Sequence, residues 1–101
     1  MGHSIIWTNE ATADFDDILS FLGRDSKRYA VRLRDEIYEG IEHLAEFPMI
    51  GRSVPEVDDK RLREIFVGQY RVLYYFDGTD ISIISLVHMS RDLVQFWHEH
   101  R

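Results

Sequence analysis

Tyr70-Arg71-Val72-Leu73-Tyr74-Tyr75-Phe76-Asp77-Gly78-Thr79-Asp80-Ile81-Ser82-Ile83-Ile84-Ser85-Leu86-Val87-His88 is the stretch that decides the fold. Tyr70, Val72, Tyr74 and Phe76 alternate with Arg71, Leu73 and Tyr75, the period of two that marks a strand. Asp77-Gly78 follows, and both residues tolerate the positive φ of a tight hairpin. The second arm alternates Ile81, Ile83, Ser85 and Val87 with Ser82, Ile84, Leu86 and His88. Pairing about this turn sets 77 opposite 80 and 71 opposite 86, and a bulge moves the register by a residue or two. That register puts Arg71, Leu86 and His88 on one face, with Arg91 close behind. Both faces of the hairpin carry large apolar groups. One face must pack on helices, and the other must meet the C-terminal tail or a partner.

Upstream, Arg63, Ile65 and Val67 alternate with Glu64 and Phe66, and Gly68-Gln69 turns this strand into the next. Before residue 62 the period is 3.6. Ala11, Phe15, Ile18 and Leu22 lie on one helical face, with Thr8 or Asn9 as the cap. Ala30, Leu33, Ile37, Ile41 and Leu44 form a second stripe, capped by Asp25 or Ser26 and ended at Phe47-Pro48. Residues 48–61 form one long loop. Ile5-Ile6-Trp7 reads as an opening strand, and Asp92 to His100 as a short last helix carrying Leu93, Phe96 and Trp97. The expected fold is one α+β domain, residues 1–101. An antiparallel helix hairpin packs on a mainly antiparallel four-stranded sheet built from residues near 4–7, 62–67, 70–77 and 80–88.

Composition narrows the function. There is no cysteine, so disulfides, thiolate metal sites and cysteine nucleophiles are excluded, and a reducing cytoplasm is the expected location. No apolar run approaches the roughly 20 residues of a membrane span, and the N-terminus lacks a signal-peptide pattern. The formal net charge is −6, and residues 1–50 hold five basic and ten acidic side chains. Such a chain repels phosphate backbones, although the second half can still form a local basic patch. No GxGxxG, Walker or H-E-x-x-H pattern occurs, and the sequence calls for no cofactor and no metal.

A few polar side chains have chemistry to offer. Arg71 sits mid-strand among apolar residues, where an unpaired guanidinium is costly. It therefore meets either an acid such as Glu64 or a ligand. His88 can move a proton and Arg91 can hold a phosphate, or both can simply order the turn before the last helix. Arg61 and Arg63 lie beside Lys60 but also beside Glu56, Asp58, Asp59 and Glu64. Asp14, Asp16 and Asp17 read as a solvated helix surface rather than a metal site. Phe96 and Trp97 either anchor a partner or cover the sheet's own open face.

The order of elements and several local phrases resemble the ParE/RelE toxin superfamily of type II toxin–antitoxin and plasmid-stabilisation systems, closest to its ParE branch. The matching residues are Trp7-Thr8-x-x-Ala11 with Asp14 and Ile18; Leu44-x-x-x-Pro48-x-x-Gly51-Arg52; Arg63; Tyr70-Arg71-Val72-x-Tyr74; and Val87-His88-x-x-Arg91-Asp92. The resemblance implies a cytoplasmic toxin held in a hetero-oligomer by a cognate antitoxin. ParE-like members inhibit DNA gyrase by binding. RelE-like members are ribosome-dependent, metal-independent mRNA endonucleases, and a third possibility is a non-toxic degenerate binding partner. In the RNase branch the arginine at this strand position lies in the active site, so Arg71, His88 and Arg91 would be catalytic there. Arg61, Arg63, Arg71, Phe96 and Trp97 are the expected partner-binding residues. The dense lysine and arginine cluster of the RNase branch is thin here, which favours a binding toxin.

Overall fold

The computed structural model describes residues 2–99. Strand β1 (Ser4–Trp7) leads into helices α1 (Asn9–Asp25) and α2 (Lys27–Glu46). Strands β2 (Arg52–Ser53), β3 (Leu62–Val67), β4 (Tyr70–Phe76) and β5 (Asp80–His88) follow, then helix α3 (Leu93–Glu99). The expected end of the last helix at His100 lies outside the described residues. Local chemistry sets the helix ends. Thr8 Oγ1 accepts the Ala11 N–H at 3.1 Å, and Ser26 Oγ accepts the Tyr29 N–H at 3.1 Å. Each such cap contributes about 1 kcal/mol. Ser26 also donates its own N–H to Leu22 O at 3.0 Å. One residue thus ends α1 and starts α2, which folds the two helices into a hairpin with no loop.

The sheet has five strands in the order β1-β5-β4-β3-β2. β1 runs parallel to β5, and every other pair is antiparallel. The expected four strands are all present. The fifth, β2, is two residues long and comes from within the expected loop, where Arg52 pairs with Glu64 and Ser53 with Arg63. The β4–β5 turn is as expected. Asp77 Oδ1 accepts the N–H groups of Thr79 and Asp80 at 2.8 and 2.7 Å, and Gly78 takes φ +95°, a conformation glycine adopts without strain. Beyond it, Tyr74 pairs with Ile83 but Leu73 pairs with Ser85. Ile84 is left over as a bulge, which shifts the register of everything after it.

Each sheet face has its own core. Under α1 and α2 lie Phe15, Leu33, Ile37, Ile41, Leu44, Tyr70, Val72, Tyr74, Ile81, Ile83 and Leu86. On the other face, Leu62, Leu73 and Val87 pack with Val54 and with Leu93, Phe96 and Trp97 of α3. Of the two covers expected for the open face, the C-terminal helix is the one present: Phe96 and Trp97 are buried on that face, while Tyr70 and Tyr74 are buried in the helix-side core and Phe76 is half-buried against it. β1 ends at Trp7, while β5 runs on, and α1 closes the exposed stretch of its edge. Thr8 Oγ1 donates to Ile83 O at 2.9 Å. Asp14 Oδ2 accepts from the Ser85 hydroxyl at 2.6 Å and the Leu86 N–H at 3.1 Å. An edge with its backbone groups satisfied offers no template for stray strand pairing.

Candidate functional site

The densest polar cluster lies on the α3 side of the sheet, across β2, β3 and β4. Phe66 and Arg71 are directly opposite each other, and Arg52 is opposite Glu64. Period-two alternation therefore places Arg52, Glu64, Phe66 and Arg71 on one face. Arg71 Nε donates to Glu64 Oε1 at 2.6 Å. Its Nη1 and Nη2 form a fork on Glu56 at 2.7 and 2.9 Å. Arg52 Nε donates to the second Glu64 oxygen at 2.7 Å. The Arg71 side chain is 6% exposed and that of Glu64 is 0% exposed. The two guanidinium carbons lie 5.0 Å (Arg52) and 5.9 Å (Arg71) from the Phe66 ring centre.

Two cations and two carboxylates cancel, so the cluster presents no net positive field to a phosphate. The Arg71 hydrogen bonds hold the Glu56 carboxyl below its usual range, against the opposing effect of burial. In return, the Glu56 bonds and then those of Glu64 keep the Arg71 guanidinium firmly protonated, although burial works against it. Arg71 has five N–H donors, and three of them are engaged with carboxylates.

A second set of contacts straps the loop after α2 onto this cluster. The Tyr74 hydroxyl donates to Pro48 O at 2.8 Å and accepts the Gly51 N–H at 3.0 Å. Arg63 Nη1 donates to Gly51 O at 2.6 Å. Gly51 has no room for a side chain: a Cβ there would sit 2.5 Å from the Tyr74 hydroxyl oxygen and 2.7 Å from Glu64 O. Pro48, Gly51, Arg52, Arg63, Arg71 and Tyr74 are scattered along the chain, and the fold gathers them into one connected assembly.

Comparison with known proteins places this assembly in context. The model of the ParE toxin of type II toxin-antitoxin systems, parDE, matches residues 5–93. The chain belongs to the ParE toxin family. Toxin RelE2 of Caulobacter vibrioides is 30% identical to it over 88 residues, which is 86% of this chain and 96% of that protein. A chain of the chromosomal ParDE toxin–antitoxin system from P. aeruginosa superposes with a TM-score of 0.71 at 20% identity, covering 87% of this chain and 97% of that one. A chain of the RelBE2 toxin–antitoxin complex from Mycobacterium tuberculosis superposes with a TM-score of 0.59 at 18% identity, covering 87% and 99%. These two structural likenesses show the shared fold.

Within this ParE-family fold, the expected convergence of Arg71, His88 and Arg91 does not occur. The Ile84 bulge sets Arg71 opposite Val87 and Tyr70 opposite His88. His88 therefore shares the helix-side face with Tyr70, ring centres 5.3 Å apart, while Arg71 points to the α3 side. Both ring nitrogens of His88 are engaged. The Ser90 N–H donates to Nδ1 at 3.1 Å, which makes Nδ1 an acceptor and leaves the proton on Nε2, 3.2 Å from Gln69 Oε1. Arg91 lies 3.9 Å from Glu99 and over the Phe96 ring. The His88 side chain thus holds the β5–α3 turn at Ser90, and that of Arg91 lies against α3.

The remaining expected site residues each contact other parts of the chain, although Arg61 stays exposed to solvent. Arg61 pairs with Asp59 at 3.1 Å and covers Tyr75. Its hydrogen bond holds the Asp59 carboxyl low. Arg63 serves the Gly51 strap. Phe96 and Trp97 are each 7% exposed, packed on the second sheet face. Glu56, which no sequence pattern singled out as Arg71's second partner, is the contact reasoning missed. It sits in a loop with no periodicity to fix its direction. Among the described residues no three His, Cys, Asp or Glu side chains group as a metal site, and no helix is long and apolar enough to cross a membrane.

Proposed function

We propose that this ParE-family toxin acts by binding its target, DNA gyrase, rather than by cutting RNA, and that a cognate antitoxin neutralises it. The observation that carries the reading is the state of Arg71. RNA cleavage needs a base, an acid and a cation free to stabilise the phosphorane. Arg71 is buried and bound to Glu56 and Glu64, and His88 lies on the far face with both nitrogens engaged. Freeing the guanidinium for a phosphate would leave the Glu64 carboxylate buried without its closest partner, at a cost of several kcal/mol. Gyrase as the target follows from the resemblance to the ParE branch. The antitoxin is supported by the solved relatives, which come from toxin–antitoxin systems.

A second reading, a ribosome-dependent and metal-independent mRNA endonuclease, has one observation in its favour: the 30% identity to Toxin RelE2. Supercoiling by purified gyrase and mRNA cleavage in a translating extract separate the two. The proposal expects supercoiling to fall in proportion to added toxin, antitoxin to restore it, and transcripts to stay intact. Cleaved transcripts with unimpaired gyrase would establish the second reading instead.

A further inference from the structure

At the junction of β1 with the helix hairpin there is a cleft of about 190 Å³, lined by Trp7, Thr12, Phe15, Asp16 and Tyr38. Three of its five lining residues are aromatic. Trp7 stacks on Phe15 with ring centres 5.4 Å apart, and Tyr38 meets Phe15 edge-on at 5.4 Å and Trp7 at 6.3 Å. Phe15 is buried and forms the floor, whereas Tyr38 is 47% exposed and forms a wall. Asp16 stands exposed at the rim, one helical turn from Thr12. Among the described residues Asp16 makes no ion pair. The Trp7 and Tyr38 rings are fixed by packing before any ligand arrives.

Aromatic faces beside an uncommitted carboxylate attract a flat cation. The surroundings add to this. Glu42 lies four residues after Tyr38 on the same strip of α2. The nearby cation on that helix, Arg34, is already paired with Asp35 at 3.2 Å. Residues 1–50 as a whole hold ten acids against five bases, so the hairpin carries a net negative charge that favours an approaching cation. The size is also selective: pockets for drug-sized ligands run to roughly 300–1,000 Å³, and this one suits a single long side chain.

We infer that this cleft binds an arginine side chain presented by a partner protein. Naming the antitoxin as that partner rests on the function proposed above; the chemistry of the cleft does not. The guanidinium stacks on the Trp7–Tyr38 wall and its edge meets the Asp16 carboxylate.

The test is a titration of the ¹⁵N-labelled chain with N-acetyl-arginine amide, followed by NMR. Weak, saturable, millimolar binding is expected, with shifts at the Trp7 indole N–H and at the amides of Asp16 and Tyr38. The Trp97 indole, on the other face, should stay still. Asp16→Asn and Tyr38→Ala should each weaken binding about fivefold, one exposed ion pair and one cation–π contact respectively. The neutral citrulline analogue should leave the spectrum unchanged. Equal shifts from citrulline, or shifts spread over the acidic surface without Trp7, would overturn the site. A Trp7 signal that moves on dilution of the chain alone would make a second copy the occupant and overturn the proposal. If the purified toxin–antitoxin complex still binds the probe at Trp7, the site stands and the antitoxin is not the donor.

Discussion

Replacing Arg71 by methionine removes the guanidinium while keeping a long, flexible apolar side chain in its place. The damage falls on Glu64, whose side chain is 0% exposed. It keeps only Arg52, whose side chain is 57% exposed and spends much of its charge on water. Removing one partner of a buried ion pair costs about 3–5 kcal/mol, because the other charge remains buried. A domain of this size has a total stability of about 5–15 kcal/mol, so Arg71→Met alone consumes about a fifth of it or more. Adding Glu64→Leu removes the stranded carboxylate. Glu56 swings to water from its loop, and the double variant returns to the wild-type stability or above it, since well-packed apolar replacements of buried pairs are neutral or stabilising. Urea unfolding followed by circular dichroism measures all four corners of the cycle. An Arg71→Met variant that loses less than about 1 kcal/mol, or a double variant less stable than either single one, would refute the buried-pair reasoning.

The same cluster predicts a pH dependence. Glu56 has its folded pKa lowered from the ordinary value of 4.5, chiefly by Arg71. Its contribution is therefore fully present above that value and is lost as pH falls through the lower, folded one. Urea midpoints measured on the acid side should fall less steeply in Arg71→Met than in wild type, and parallel curves would contradict the assignment. Tyr74→Phe leaves the Gly51 N–H and Pro48 O without their partner, and should cost about 1–3 kcal/mol in the same assay; an unchanged midpoint would show that the strap is incidental. Trp97→Ala should destabilise the chain by about 3–5 kcal/mol if α3 is part of the core, and a loss near zero would mean that α3 does not hold the second face.

Much of this architecture is legible from periodicity. The stripe from Ala30 to Leu44 reports one buried helix face, the apolar residues on both phases from Tyr70 to Phe76 report a strand covered on both sides, and Asp77-Gly78 reports the turn. The bulge left a trace that strict alternation hides. Ile83 and Ile84 are adjacent and flanked by Ser82 and Ser85, and the inward phase slips there from Ile81 and Ile83 to Leu86 and His88. That slip separates His88 from Arg71. β2 was not legible, because two residues carry no period and pair only because the Gly51 strap brings them to β3. Asp14 read as a solvated helix acid, yet it satisfies the open edge of β5, a role fixed by where β1 stops rather than by anything local. Glu64 was legible as a partner for Arg71, since a buried guanidinium demands one. Glu56 was not, because loop direction depends on tertiary contacts.

Growth after induction of the Glu64→Leu/Arg71→Met double variant, beside wild type, tests the central claim most directly. If Arg71 belongs to the scaffold of a toxin that works by binding, the folded double variant arrests growth as wild type does, and co-expressed antitoxin relieves the arrest. Normal growth from a double variant with wild-type stability and intact antitoxin binding would contradict the account and return Arg71 to the chemistry.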